Sequence, residues 1–329
     1  MEQSSDDKSV SLTGYEVTKT DAEGNALVIS TRLCRDAERW KLMPALDEFQ
    51  KLTTLDLHKS RYLKTLHPSV GNLPNLRELY LARCELLEEL PDTLGQLVNL
   101  EVLDMMDCTV LKFLPDSIGN LKSLKRLCLG GHFGTGNKVL EALPDSLCQL
   151  SNLEELNLDK CKALKRLPEQ IGKLKRLKRL NMRENKCVQA LPESIVECNL
   201  VEVSLSKCVS LTSLPPNLEK WADLEDLVLT KCKGITWLPD DIDKLKSLAL
   251  LDLRACKKLE QIPQSLGSLP HLRILDLSAC KSLKVVPETL ANLPSLERLE
   301  LSGCLSLKDI PTCVRTMKAV TLGDQKEGD

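Results

Sequence analysis

Aromatic residues are scarce in this 329-residue chain, with three each of Trp, Tyr and Phe, or 3% of the total. A core here must therefore be aliphatic. No apolar run approaches the roughly 18 residues that crossing a bilayer requires. The opening stretch "MEQSSDDKSV" is polar and holds nothing like the apolar segment of a signal peptide. No Asn-x-Ser/Thr sequon occurs, so no glycosylated surface is marked. These absences point to a cytoplasmic, reducing location, where disulfides are rare. A net charge of −2 gives no global pull toward nucleic acid or anionic lipid. Catalytic signatures such as G-x-S-x-G and H-E-x-x-H are missing, and the four histidines are scattered. The expectation is a non-catalytic protein without cofactor or metal.

What the chain does have is leucine at a fixed period. Leu52, Leu76, Leu100, Leu124, Leu153, Leu177, Leu200, Leu224, Leu248, Leu272 and Leu296 open eleven similar units, nearly all 24 residues long. Each unit reads LxxLxLxxCxxLxxLPxxLGxL, as in Leu248, Leu251, Leu253, Cys256, Leu259, Ile262, Pro263, Leu266 and Leu269. The LxL core alternates with period 2, which predicts a short strand with one buried face. After the proline the apolar residues are three apart, which suits a 3₁₀ or short helical segment. One such unit has too little apolar surface for its own core. Stacked units share one, with strands pairing in parallel.

The pattern resembles leucine-rich repeats over residues 52–319. Within that class it most resembles the repeats of plant intracellular disease-resistance (NLR-type) proteins, and it is also similar to those of cytoplasmic Ras-pathway scaffolds. The resemblance implies an α/β solenoid, a horseshoe with a parallel sheet on the concave face and short helical or 3₁₀ segments on the convex face. It implies a protein partner bound on the concave face, in resistance-protein-like recognition. A signalling scaffold for a small GTPase or phosphatase is the alternative, and an enzyme or enzyme subunit a remoter one. The family's nucleotide-binding domain would not fit in the fifty or so residues before Leu52.

Eight of the fourteen cysteines share one slot in the unit, where the other three units carry Ser60, His132 and Asn185. The resemblance implies that this slot turns inward after the strand and bonds to backbone. Cysteine, small and a weak donor, suits it. No C-x-x-C pair occurs to suggest zinc.

Outside the repeats, residues 1–14 read as a disordered tail and 15–51 as an N-terminal cap, made of a hairpin and a half-repeat. Residues 320–329 read as a truncated strand with a polar tail. Five residues are inserted near "GGHFGTGNKV" (130–139), which lacks the ending of a phosphate-binding loop. That insertion reads either as a tolerated surface loop or as a partner contact carrying His132, Phe133 and Lys138 at the edge of the inner face.

Outward strand positions are the third, fifth, seventh and eighth of each unit. They place Tyr80, Met106, Asp159, Arg179, Asn181 and Arg183 on the inner face, and with His132 and Phe133 these form the candidate partner site. Strand aspartates such as Asp56, Asp104, Asp252 and Asp276 read as a solvated face. Residues 76–107 carry eight acidic and two basic residues, whereas 160–186 carry eleven basic and two acidic. The basic block suggests a partner with an acidic surface. Nucleic acid is disfavoured, because no aromatics are interleaved for stacking.

Overall fold

The computed structural model describes residues 16–30, 45–131, 134 and 136–322. The expected 1–14 tail, most of the half-repeat, and the tail after Leu322 lie outside the described residues. Among the described residues fourteen strands form one sheet in strict chain order. Strands β1 (Glu16–Thr20) and β2 (Ala26–Ser30) make an antiparallel hairpin. From β2 onward every pairing is parallel, with Val28 opposite Thr54 of β3 (Thr54–Asp56). The ladder continues through β13 (Arg298–Glu300) to β14 (Val320–Thr321).

Each repeat strand is three residues long, and equivalent residues face one another without slip, as in Leu227 opposite Leu251. The register follows from the leucines. The fourth and sixth residues of every unit point into one shared core, and a slip of one would expose them all. Leu55, Leu57, Leu103, Leu251 and Leu253 are essentially fully buried. The core is one continuous aliphatic column, with Trp221 the largest fully buried side chain among the described residues. The leucine-rich repeat solenoid expected from the sequence is the fold observed.

On the side opposite the strands, 3₁₀ turns such as Asp92–Gln96 and Gln264–Ser268 follow the proline of each unit. Their glycines are there for close approach. A Cβ on Gly95 would stand 2.5 Å from the Ser117 carbonyl oxygen, and one on Gly267 would stand 2.2 Å from that of Thr289.

The cysteine slot is filled as the resemblance implied. Cys108 donates to the Leu81 carbonyl oxygen at 3.2 Å, Cys232 to Leu205 at 3.0 Å and Cys304 to Leu277 at 3.1 Å. Asn185 does the same work with its amide, donating to Leu158 and Met182 at 2.8 Å each. In the unit with the insertion, the slot residue is Asn137 rather than His132. Buried Asn137 donates to the Cys108 and Leu111 carbonyls and accepts from the Leu140 N–H, and Leu140 follows it by the same three residues that separate Cys108 from Leu111. The five extra residues thus enter just before the slot.

Candidate binding surface

The strand face is pinned at two columns that sequence reading took for free surface. At the fifth position, Asp104 Oδ1 accepts the Met106 N–H at 2.9 Å, Asn157 that of Asp159 at 3.0 Å, and Asn181 that of Arg183 at 3.1 Å. Asp252 and Asp276 do likewise for Arg254 and Ser278, each at 2.9 Å. These are Asx turns, in which a short polar side chain replaces the ladder partner that the backbone loses where the strand ends. Asp56, Asp104 and Asp252 are accordingly buried, which corrects the reading of them as a solvated row. At the eighth position the backbone is left-handed, as at Lys59 (φ 62°), Arg83 (64°), Lys231 (62°) and Ala279 (57°). Non-glycine residues pay a steric cost there, so the turn is imposed by the packed neighbours on both sides. Side chains on this face therefore project from a backbone with little freedom.

In the first three turns the face carries one aromatic cluster. The rings of His58 and Tyr80 stack at 5.5 Å between centroids. His58 Nδ1 lies 2.6 Å from Asp56 Oδ1, and its Nε2 lies 3.9 Å from Asp104 Oδ2. Tyr80 donates to Glu78 Oε2 at 3.3 Å. Burial, then the neighbouring Glu78 carboxylate, raises the Tyr80 phenol above its usual range. Burial likewise raises Asp104. Half-buried Met106 stands in the next turn. Sequence reasoning found Tyr80 and Met106 but missed His58 and Asp104. The signal was present for Asp104, which holds the same unit position as Tyr80 one turn later and pairs with it in the ladder, whereas His58 lies two positions further along its own unit and meets Tyr80 diagonally.

Two to three turns beyond Met106, the remaining candidates meet. Asp159 is buried, and Arg183 lies 3.9 Å from it and 3.2 Å from Glu184. Exposed Arg179 is 3.2 Å from Glu155, its directly opposite ladder neighbour. The basic block of 160–186 thus places Lys160, Arg179 and Arg183 on the strand face among Glu155, Asp159 and Glu184. Most of its other cations lie beyond the strands.

His132 and Phe133 lie outside the described residues. After them the insertion is fastened to the turns before and after it: Gly136 N–H donates to buried Asp107 at 3.1 Å, and Lys160 Nζ donates to the Gly134 carbonyl at 3.2 Å. Gly136, with φ 68°, takes the left-handed place that the eighth residue holds elsewhere. Among the described residues no cluster of three or more His, Cys, Asp or Glu is placed to hold a metal ion, and no helix is long and apolar enough to cross a membrane.

The family profile described as a leucine-rich repeat region matches residues 36–163. Among curated proteins none matches the sequence. Among solved structures, a leucine-rich repeat protein of Leptospira interrogans is 28% identical with a TM-score of 0.50, over 83% of this chain and 77% of that one. The structure of PEPR1–AtPEP1 is 23% identical with a TM-score of 0.59, over 94% of this chain but 46% of that one. Repeat, register and likeness agree: the chain is a leucine-rich repeat solenoid.

Proposed function

We propose that the strand face of the first six turns is a non-catalytic protein-binding surface, working in an intracellular setting. The observation that carries this reading is the stacked pair His58–Tyr80, its imidazole held between the buried carboxylates of Asp56 and Asp104, with half-buried Met106 on the same face one turn beyond Tyr80. Tyr and Met are side chains favoured at the centres of interfaces, and one locked in place loses little entropy on binding. Five or six strands at about 4.8 Å span roughly 20–25 Å, enough for a standard protein contact. Arg179 and Arg183 stand at the rim of this surface. An acidic group on the partner would meet them in competition with Glu155, Asp159 and Glu184, so charge there serves orientation more than affinity. Buried thiols bonded to backbone fit a reducing compartment.

Resistance-protein-like recognition is the role nearest to the repeat pattern. A signalling scaffold would use the same face and differ only in its partner. Affinity purification from the native cell, comparing wild type with Tyr80→Ala/Met106→Ala, tests the surface. The expected result is a protein recovered by wild type and by a Lys173→Glu/Lys175→Glu control, and lost with the double alanine variant. Recovery by all three would refute the proposal.

A further inference from the structure

The residue that follows the cysteine slot forms a column of its own. In turns four to ten it is Lys138, Lys162, Lys186, Val209, Lys233, Lys257 and Lys281. Backbone bonds from the Lys138 N–H to Thr109 and from the Lys162 N–H to Asn137 tie the start of this column into a regular ladder. Six steps of about 4.8 Å make a row roughly 29 Å long. Five of the six ammonium-bearing residues are exposed, and Lys162 is half-buried.

The flank to which the row belongs is strongly polarised. From the turn of Leu153 to that of Leu272, the eighth to fourteenth positions hold twelve cations against two carboxylates, Glu184 and Glu260. That is a local excess of ten in a chain whose net charge is −2. The fold does not need this charge. Three residues further along, lysines are paired, as in Lys165–Glu141 and Lys284–Glu260, both at 2.6 Å. None of the six lysines in the row forms an ion pair among the described residues. Like charges stacked one per turn repel, and such repulsion works against the compact state. The row is therefore better explained by something it binds.

The chemistry of the row narrows the occupant. Eleven of the twelve cations are Lys rather than Arg, so point charges prevail over the planar fork that reads a single carboxylate or phosphate bidentately. The same flank exposes Trp237, Val285 and Leu305 at 50%, 52% and 75%. A nucleic-acid backbone gains nothing from them, whereas a lipid interface accommodates both Trp and aliphatic side chains beside lysines. The compensating carboxylates stand further round, where Glu169, Glu193, Asp240 and Glu288 enter the 3₁₀ side.

We propose that this lysine row docks the solenoid edge-on against an anionic lipid bilayer, leaving the strand face open to its protein partner. The test is co-flotation of the full chain with phosphatidylcholine vesicles, with and without phosphatidylserine, at about 0.1 M salt, where the Debye length is about 10 Å. Binding should require phosphatidylserine. With each surface lysine contributing several-fold, Lys233→Glu/Lys257→Glu/Lys281→Glu should weaken it by at least about a hundredfold. Trp237→Ala should weaken it several-fold. The charge-matched control Lys173→Glu/Arg176→Glu/Lys246→Glu, on the 3₁₀ side, should bind as wild type does. Circular dichroism of each variant confirms the fold. Absence of binding to the anionic vesicles, or equal loss in both triple variants, overturns the proposal. Capture of polyglutamate or duplex DNA by the same lysines without vesicle binding also overturns it, in favour of that polyanion.

Discussion

The thiol of Cys256 donates to the carbonyl oxygen of Leu229, 3.2 Å away and one full turn earlier. The same oxygen accepts the Cys232 N–H at 3.0 Å, so each slot closes its own turn and fastens the next. The thiol is a second bond at a carbonyl that is already satisfied. Cys256→Ser should therefore shift stability by less than about 1 kcal/mol, and Cys256→Asn should also fold, since Asn185 fills an equivalent slot. Cys256→Asp should cost several kcal/mol, because a carboxylate would be buried unpaired. Urea denaturation compares the three.

Buried thiols also set the alkaline limit. Burial pushes Cys84, Cys208 and Cys232 up to about 12, against roughly 8.5 for an exposed thiol. The folded state keeps its protons where the unfolded chain loses them. The stabilising contribution is full below about pH 8.5 and disappears as pH rises toward 12, by up to about 1.4 kcal/mol per thiol per pH unit. Stability should fall steeply above pH 9, and replacing three slot cysteines with serine should flatten that fall. Near pH 8, exposed Cys187 and Cys313 should react with iodoacetamide first among the described thiols.

The left-handed column predicts stabilisation by removal of a side chain. At Ala279, with φ 57°, the residue bears a steric cost of about 1–2 kcal/mol that glycine avoids, while glycine adds about 0.5–1 kcal/mol of chain entropy. Ala279→Gly should raise stability by about 0.5–1 kcal/mol in chemical denaturation. Ala279→Val should lower it.

On the 3₁₀ side the opposite holds. Gly95→Ala would drive a methyl group against the Ser117 carbonyl and should cost about 1–3 kcal/mol. Hydrogen exchange should show protection lost mainly in the turns beginning at Leu76 and Leu100, because repeats interact with their neighbours. Uniform loss along the chain would indicate one cooperative block instead.

Much of this fold could be read from the sequence, because a 24-residue period dictates both which leucines meet and which strands pair. Less legible were features that depend on how turns touch. That Asp104 would fold back onto its own backbone, or that His58 would stack on Tyr80, depends on diagonal neighbours rather than on period. Counting forward from Leu124 puts the slot of the inserted unit at His132, because it cannot show where the extra residues enter. Counting back from Leu140, Leu143 and Pro144 identifies Asn137. The lysine row is hidden in the sequence for a related reason. A charge count over consecutive residues mixes faces, whereas alignment on the slot separates them.

The most direct test of the strand-face assignment is site-specific photo-crosslinking in the native cell. A photoreactive amino acid would replace Met106 on the strand face, and separately Lys246 on the 3₁₀ side. The account predicts a discrete crosslinked protein partner from position 106, abolished by Tyr80→Ala, and none from position 246. Crosslinks from position 246 but not from 106, or a partner at 106 indifferent to Tyr80, would contradict it.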